Sequence, residues 1–269
     1  MGVAAASPRK NPMIRWGFAG ERLLDSTLSL VVPAYNEEKR LPPTLDRILS
    51  YLRNGGPRSA EILIVDDGSK DRTVELVRAA AAALPDRDIT LKLLENPGNR
   101  GKGYSVRHGM LAAGAEWVLF TDADLSAPIE ELDKLLAAVH KGGYDGAIGS
   151  RALNRELIGV RQPRMREYSG RLFNFAVRLG AGLSFHDTQC GFKLFRREAA
   201  QEIFRRQRLD RFGFDVEILY IASKLGFRIA EVPVRWNDVE GTKVSLMSGA
   251  DAFVDIARVR CNDLLGRYR

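Results

Sequence analysis

Acidic residues follow three short apolar runs in the first half of the chain. They are Glu37, the pair Asp66 and Asp67, and the pair Asp122 and Asp124. Asp122 and Asp124 flank a single residue, and two carboxylates this close repel each other unless a cation lies between them. Mg²⁺ and Mn²⁺ prefer oxygen ligands, and substrate phosphates usually complete their coordination. The spacing therefore indicates a divalent metal site that holds a diphosphate.

Each acidic cluster also has an ordinary structural explanation. An Asp-x-Asp pair is common on protein surfaces. Asp66 and Asp67 could form a simple turn with Ser69 as the cap of the next helix, or one of them could accept a hydrogen bond from a ribose or a base. Tyr35 could stack on a base or pack in the core, and Glu37 could be a first-turn helix acid.

The apolar runs alternate with helical patterns. Runs typical of buried strands cover 28–33, 61–65, 89–94 and 117–121, and apolar residues at helical spacing lie at 41–52, 74–83 and 105–114. This alternation predicts an α/β fold whose mostly parallel sheet has helices on both faces. Ligands bind outside the carboxyl ends of the strands in such sheets, so the acidic clusters are expected to converge on one edge.

The pattern changes after residue 150. A basic, irregular stretch covers 155–171, helices are predicted at 199–206 and 216–224, and a strand is predicted at 228–234. The last helical pattern covers 252–265. It places four apolar residues among arginines, which is typical of an amphipathic helix; they are Phe253, Ile256, Val259 and Leu264.

The surplus of positive over negative side chains lies in the second half of the chain. Residues 1–150 hold 19 Lys and Arg against 20 Asp and Glu, and residues 151–269 hold 22 against 14, within a total net charge of +7. A basic surplus in one section favours an anionic partner, either phosphate groups or a lipid surface, although a solvated basic face has the same composition. The sequence contains no nucleic-acid motif and no aromatic-interleaved basic groove, so no nucleic acid partner is expected.

Several other classes of protein lose support. The glycine-rich segment 98–103 contains Arg100 and Lys102, but its spacing fits neither the phosphate loop of ATPases nor the dinucleotide fingerprint. Both residues remain candidate phosphate contacts. Cys190 and Cys261 do not make a disulfide framework, which is typical of a reducing compartment. The sequence contains no apolar run of about 18 residues, so no bilayer-spanning helix is predicted.

Two groups of motifs resemble known enzymes. The first group resembles the family 2 glycosyltransferases: Val31-Val-Pro-Ala-Tyr-Asn-Glu37, Val65-Asp-Asp-Gly-Ser69, Asn99-Arg-Gly-Lys-Gly103 and Thr121-Asp-Ala-Asp-Leu-Ser126. The second group resembles, within that family, the dolichyl-phosphate β-glucosyltransferases: Asp187-Thr-Gln-Cys-Gly-Phe-Lys-Leu-Phe195, Phe214-Asp-Val-Glu217, Val234-Arg-Trp236 and Gly241-Thr-Lys-Val244. The resemblance covers residues 28–260.

The resemblance implies a GT-A fold, which is Rossmann-like, with a basic C-terminal section for the acceptor. It implies an inverting, metal-dependent transfer of glucose from UDP-glucose to a polyprenyl, dolichyl-type phosphate. Asp122 and Asp124 would hold Mg²⁺ or Mn²⁺ on the diphosphate. The positions matched to donor binding are Pro33, Ala34, Tyr35, Glu37, Asp66, Asp67, Lys102, Asp122 and Arg151.

The same resemblance implies the residues for catalysis and for the acceptor. These are Asp124, Arg151 and Asp187 for catalysis, and Arg166, Gln189 and Lys243 for the acceptor phosphate. A phosphomonoester has a second pKa of about 6, so a strong base is less necessary than it is for a sugar hydroxyl. Asp187 is expected to act as the base if the reaction uses one, or else to orient Arg166 or Lys193 or to cap a turn.

The expected organisation is one catalytic domain with short extensions. The divisions are a loose extension over 1–26, a nucleotide-sugar-binding half over 27–150, an acceptor-binding half over 151–245 and an amphipathic C-terminal helix over 246–269. Each Lys or Arg near an anionic leaflet contributes about 1 kcal/mol to binding. The basic half therefore predicts a cytoplasmic enzyme held peripherally on the cytoplasmic face of a membrane.

Three alternatives stay open. The same lipid could receive mannose from GDP-mannose, or a family 2 enzyme could use a non-lipid acceptor. The chain could also bind nucleotides, nucleotide sugars or nucleic acids without catalysis.

Overall fold

A seven-stranded sheet forms the centre of the part of the chain that the structure describes. The structure is a computed structural model and describes residues 26–57, 59–85, 87–159, 180–237 and 249–269. The strands are β1 Thr27–Ala34, β2 Ser59–Asp66, β3 Ile89–Glu95, β4 Trp117–Thr121, β5 Gly146–Ser150, β6 Phe192–Arg196 and β7 Ile229–Pro233. Their order across the sheet is β3-β2-β1-β4-β6-β5-β7, and β6 runs antiparallel to both of its neighbours.

Helices cover both faces of this sheet, as the sequence predicts. In the described residues the α-helices are α1 Leu41–Asn54, α2 Thr73–Ala83, α3 Lys102–Ala112, α4 Leu132–Gly142, α5 Arg197–Arg206, α6 Phe214–Lys224 and α7 Gly249–Leu264. In β1, Leu30 and Val32 pack with α1, α2 and α4, whereas Val31 packs with α3 and α5 to α7. Successive side chains of a strand point to opposite faces, so a strand that is apolar throughout needs cover on both sides.

The direction of β6 brings the second half of the chain to the same edge as the first half. The other strands run in parallel, so their carboxyl ends lie together. Phe192, the first residue of β6, is paired with Thr121, the last residue of β4. The loop before β6 therefore meets the ends of β4 and β5. This edge carries Asp122 after β4, Arg151 after β5 and Asp187 before β6.

The predicted strands and helices are confirmed, with two differences. Helix α3 begins at Lys102 and ends at Ala112, earlier than the predicted 105–114. The prediction that Ser69 caps α2 is wrong, because α2 begins at Thr73. The hydroxyl of Ser69 instead accepts a hydrogen bond from the backbone N of Asn36 at 2.8 Å. A contact with a residue 33 positions away thus replaces the local cap.

Helix α7 buries part of its apolar face inside the protein. Ile256 and Val259 belong to the same core as α6, whereas Leu264 is 85 % exposed and Val254 is also exposed. None of the helices in the described parts of the chain is long and apolar enough to cross a membrane. Two of the predicted acceptor residues, Arg166 and Lys243, lie outside the described residues, as does the side chain of Phe253.

Candidate active site

The carboxylate of Asp122 lies at the end of β4 in contact with residues from two other segments. Its Oδ1 atom is 2.5 Å from Nζ of Lys102, the first residue of α3. Gly191 lies on its other side, where a Cβ atom would be 2.2 Å from Oδ2. Because real Cβ contacts are never this short, any side chain at position 191 would displace the Asp122 carboxylate. The backbone before β6 therefore closes one side of the Asp122 carboxylate.

Asp124 lies two residues further along, and its negative charge is disfavoured. Burial raises the pKa of Asp124, and the charge of Asp122 raises it further. Its Oδ1 atom accepts a hydrogen bond from the backbone N of Ser126 at 3.0 Å. Arg40, in the turn after β1, donates hydrogen bonds of 2.6 and 2.5 Å to Glu37, and the charges of both aspartates help to raise its pKa. The site is an anionic pair faced by cations.

A divalent cation fits this pair when a diphosphate completes its ligands. In the described residues, no group of three or more His, Cys, Asp and Glu side chains is arranged to hold a metal ion. Asp122 and Asp124 therefore offer two carboxylates and leave the remaining positions to substrate phosphates and water, which is the usual arrangement for Mg²⁺. A cation between them would also relieve the repulsion that raises the pKa of Asp124.

The two acids after β2 have different surroundings. Asp67 uses both carboxylate oxygens to hold the loop before α3: Oδ1 accepts from Asn96 Nδ2 at 2.9 Å and from Arg100 N at 2.8 Å, and Oδ2 accepts from Gly101 N at 2.8 Å. Asp66 holds its own turn through Oδ2. Its Oδ1 atom is buried and has no hydrogen-bond partner among the described residues. Such an oxygen calls for an explanation, and a ligand that donates a hydrogen bond supplies one.

The end of β1 lies beside this turn. Ala34 pairs with Asp66 in the sheet register, and its carbonyl accepts a hydrogen bond from Asp67 N at 2.8 Å. Pro33 and Tyr35 flank Ala34 and are both partly exposed. The structure thus brings these positions together at one edge, and the nucleoside that they bind stays a prediction.

Arg151 and Asp187 form a bidentate ion pair across the ends of β5 and β6. Arg151 donates from Nε to Oδ2 at 2.7 Å, from Nη2 to Oδ1 at 2.8 Å and from its backbone N to Oδ2 at 3.0 Å. Its guanidinium carbon lies 5.4 Å from the ring centre of Trp236. Gln189 donates its backbone N–H to Asp187 Oδ1 at 3.3 Å. The backbone N of Asp187 itself donates to Glu231 at 2.8 Å.

These contacts limit what Asp187 can do. Burial alone would raise the pKa of Asp187, but the charge and the hydrogen bonds of Arg151 hold it below its ordinary value. A carboxylate with a low pKa and with both oxygens occupied is a weak base. The structure shows Asp187 orienting Arg151, a partner that the sequence analysis did not name, and closing a turn through Gln189.

The sequence analysis missed a second buried ion pair. Lys193 in β6 is fully buried, forms an ion pair with Asp215 in α6 and donates a hydrogen bond to the carbonyl of Cys190 at 2.7 Å. The charge of Asp215 also raises the pKa of Lys102 and of Arg151 against the lowering effect of burial. A lysine inside an apolar strand could have revealed this pair, since charged residues are almost never fully buried unless they are paired.

Comparisons with known proteins identify the family of this chain. The family model described as Glycosyl transferase family 2 matches residues 29–204, from β1 to α5. The dolichyl-phosphate β-glucosyltransferase of Drosophila melanogaster is 41% identical over 257 residues, which cover 90% of this chain and 77% of the relative. The dolichyl-phosphate β-glucosyltransferase of Homo sapiens is 39% identical over 254 residues, with the same coverage of 90% and 77%.

Solved structures share the fold at lower identity. Mannosyl-3-phosphoglycerate synthase from Rubrobacter xylanophilus has a TM-score of 0.65 at 17% identity, covering 90% of this chain and 75% of that one. Glucosyl-3-phosphoglycerate synthase from Mycobacterium tuberculosis, in complex with Mn²⁺, UDP-glucose and glycerol 3-phosphate, has a TM-score of 0.56 at 20% identity, covering 90% and 80%. The fold is therefore GT-A, and the chain belongs to glycosyl transferase family 2 and, within it, to the family of the dolichyl-phosphate β-glucosyltransferases.

Proposed function

We propose that this chain transfers glucose from UDP-glucose to the phosphate of a polyprenyl, dolichyl-type lipid, with inversion at the anomeric carbon and with Mg²⁺ or Mn²⁺. The observation that carries the proposal is its identity of 39–41% with dolichyl-phosphate β-glucosyltransferases over 90% of the chain. The sheet edge supports the chemistry, because it groups an anionic pair with the cations of Lys102 and Arg151.

The donor would lie across the ends of β1, β2 and β4. Asp122 and Asp124 would hold the divalent cation against the diphosphate, and the bound cation would stabilise the negative charge that grows on the leaving group. Mn²⁺ and UDP-glucose in the Mycobacterium tuberculosis enzyme of the same fold support this assignment. Lys102 would contact the donor phosphates. Asp66 would accept a hydrogen bond from the nucleoside through its unpaired Oδ1 atom.

The transfer is a single displacement. An oxygen of the lipid phosphate attacks C1 of glucose on the face opposite the leaving group, and the bond between C1 and the β-phosphate oxygen breaks. The electron pair of that bond leaves with UDP, which inverts the configuration at C1. The attacking phosphate is largely ionised at neutral pH, because its second pKa is about 6. No side chain has to remove a proton, which agrees with an Asp187 carboxylate that is occupied by Arg151.

Arg151 would supply a positive charge of fixed orientation to the phosphates. Asp187 holds one edge of its guanidinium, and the ring of Trp236 lies against it. A cation that is already oriented loses little rotamer freedom when an anionic oxygen arrives, so more of the contact energy reaches the transition state. In this role Asp187 positions Arg151 and does not itself take part in proton transfer.

Contact with the membrane would be peripheral and on the cytoplasmic face. The excess of positive charge lies in residues 151–269, and α7 exposes Val254 and Arg258, with Leu265 just beyond its end. We expect the protein to sediment with vesicles that contain anionic lipid and to be released by salt, since such attraction is screened over about 10 Å at 0.1 M. Equal sedimentation with neutral vesicles at every salt concentration would contradict the electrostatic part of this proposal.

The test of the activity is an extraction assay. Purified protein is incubated with dolichyl phosphate and radiolabelled UDP-glucose or GDP-mannose, with Mn²⁺, Mg²⁺ or EDTA, and label in the organic phase is counted. We expect label from UDP-glucose in the presence of either metal and none with EDTA. Label from GDP-mannose alone would overturn the assignment of glucose, and no extractable label from either donor would refute transfer to a lipid phosphate.

Two matched variants separate the active site from general damage. Asp122→Asn removes one charge from the pair that would hold the metal. Asp133→Asn makes the same chemical change in α4, away from the sheet edge. Asp133 accepts a hydrogen bond of 2.7 Å from the hydroxyl of Tyr51. We expect the first variant to lose the transfer of label and the second to retain it.

A further inference from the structure

Glu217 is a buried acid for which the proposed reaction has no use. It lies in α6, within the motif Phe214-Asp-Val-Glu217, and is fully buried. Its Oε2 atom accepts hydrogen bonds from the backbone N of Leu209 at 2.8 Å and of Arg208 at 3.0 Å. Its Oε1 atom accepts a hydrogen bond of 2.5 Å from the hydroxyl of Tyr268 and one of 3.0 Å from the backbone N of Arg208. A buried carboxylate needs donors of this kind, so Glu217 joins the segment before α6 to the segment after α7.

Tyr268 lies beyond the end of α7 and is fully buried. Here the Tyr268 hydroxyl donates to Glu217 and accepts a hydrogen bond of 3.2 Å from Asn262 Nδ2. Its ring centre lies 6.1 Å from that of Tyr220. The segment after α7 is therefore fixed against α6.

The segment held by Glu217 lies directly against the start of α3. We call residues 207–211 the support segment. Gln207 Nε2 donates to the carbonyl of Gly103 at 2.9 Å, and the carbonyl of Asp210 accepts from Tyr104 N at 3.0 Å. A Cβ atom at Gly103 would be 2.7 Å from the carbonyl oxygen of Leu209. The close approach requires glycine at position 103, next to the phosphate-binding candidate Lys102.

The donor loop, residues 98–103, thus rests on two supports. Asp67 holds it from the first half of the chain through the backbone N of Arg100 and of Gly101. The support segment holds it from the second half through Gly103. The second support depends in turn on Glu217 and Tyr268.

We propose that Glu217 and Tyr268 are positioning residues that hold the support segment against the donor loop, so that the segment after α7 sets the position of Lys102 and the affinity for the nucleotide diphosphate. The inference rests on the proposed function for the identity of that ligand. Loss of the Tyr268 hydroxyl leaves Oε1 of the buried Glu217 with only the backbone N of Arg208, which it shares with Oε2. The support segment then loosens, and the donor loop opens more often.

The test compares two tyrosine hydroxyls, one after the end of α7 and one in α6. Tyr268→Phe removes the donor to Glu217. Tyr220→Phe makes the same change at a hydroxyl that donates to Asp263 Oδ2 at 2.6 Å and does not touch Glu217 or the support segment. Gln207→Met removes the donor to Gly103 from the other end of the link, and it carries the test if Tyr268→Phe does not fold. Full-length proteins are compared by hydrogen–deuterium exchange of the peptide that covers 98–104 and by calorimetric titration with UDP and Mn²⁺.

We expect faster exchange at 98–104 in Tyr268→Phe and Gln207→Met, with a dissociation constant for UDP and a donor KM about three- to tenfold higher, in line with the loss of one buried hydrogen bond. The KM for the lipid should not change. Tyr220→Phe should lower Tm without either effect. If Tyr268→Phe and Gln207→Met leave exchange at 98–104 unchanged, the contacts are merely structural and the inference is wrong. If the wild-type protein binds no UDP, the proposed donor is wrong, and the exchange experiment still decides whether the support segment holds the loop.

Discussion

Two lysine–aspartate pairs near the same sheet edge differ in burial. The side chains of Lys102 and Asp122 are 21% and 33% exposed, whereas those of Lys193 and Asp215 are 0% and 5% exposed. An exposed pair contributes little stability, so each of its members can leave its partner and bind a ligand at little cost. A buried pair fixes the segments that carry it, because neither charge can be left alone. Lys102 and Asp122 thus stay available to a ligand, whereas Lys193 and Asp215 hold the framework.

The pair of Arg151 and Asp187 combines both properties. Asp187 is 2% exposed and Arg151 is 27% exposed. The buried acid fixes the arginine, and the partly open arginine can still meet a phosphate. A fixed cation near a reacting phosphate is more effective than a mobile one, because its orientation costs nothing at the moment of reaction.

The largest expected effect on turnover comes from removing Asp124, one of the charges at the sheet edge that can bind a ligand. Asp124→Ala should lower turnover by about 10²-fold or more, through loss of the stabilisation that the metal supplies. It should not lower the stability, because the surroundings of Asp124 already disfavour its charge. Turnover and Mn²⁺ binding by electron paramagnetic resonance, with Asp133→Asn as the control, check this. Unchanged metal-dependent turnover would refute the site.

Lys193→Met should have the largest effect on stability. The substitution leaves Asp215 buried without its cation, and breaking one partner of a buried pair costs about 3–5 kcal/mol. The double variant Lys193→Met, Asp215→Leu should recover most of this loss, since it removes both charges. Urea unfolding measures both. A loss below about 1 kcal/mol, as for an exposed pair, would show that burial does not distinguish the two lysines.

Asp187→Asn should lower the free energy of unfolding by about 3 kcal/mol at pH 7, as for other buried pairs that lose one charge. The folded pKa of Asp187 is lowered. Its contribution is therefore fully present above the unfolded pKa of about 3.9 and is lost as the pH falls through the folded pKa. Urea unfolding at several pH values should show the two proteins converging in acid.

Glu95→Gln is the matched control for this pH series. Glu95 pairs with Arg78 at 2.7 Å on the surface, with both side chains more than half exposed. Its loss should cost less than about 1 kcal/mol at any pH. A difference between wild type and Asp187→Asn that does not depend on pH would show that the charge of Asp187 is not what holds Arg151.

Lys102→Met should have the smallest effect on stability, below about 1 kcal/mol, because the pair with Asp122 is partly exposed. The KM for the donor should rise about ten- to a hundredfold, since one charged hydrogen bond is worth about 1.5–3 kcal/mol. Lys92→Met is the control for the steady-state kinetics. Lys92 pairs with Glu61, which lies near the start of β2 and therefore at the opposite end of the strands from the metal pair. A stability loss as large as that of Lys193→Met would show that Lys102 stabilises the fold as Lys193 does and is not held available for a ligand.

The sequence by itself determined the first four strands, the helices between them and the position of the acids, whereas β5, α4 and the antiparallel direction of β6 were not predicted. Continuous apolar runs of five to eight residues are strands that need cover on both faces, and β1 to β4 were therefore readable from local pattern. The acids that follow them lie at one edge because parallel strands end together. The motifs also identified the family, because short contiguous runs such as Thr121-Asp-Ala-Asp-Leu-Ser126 can be recognised in the sequence without the fold.

Only the tertiary structure decided how the charges are paired. Asp187 meets Arg151 across 36 positions and Lys193 meets Asp215 across 22, and sequence spacing does not encode contacts of that range. Asp67 turned out to hold the donor loop, and Ser69 to accept a bond from Asn36. Periodicity reports which face of an element is buried, because burial follows the local repeat. Which polar groups meet depends on how the elements pack, and each buried charge takes the partner that packing brings within reach.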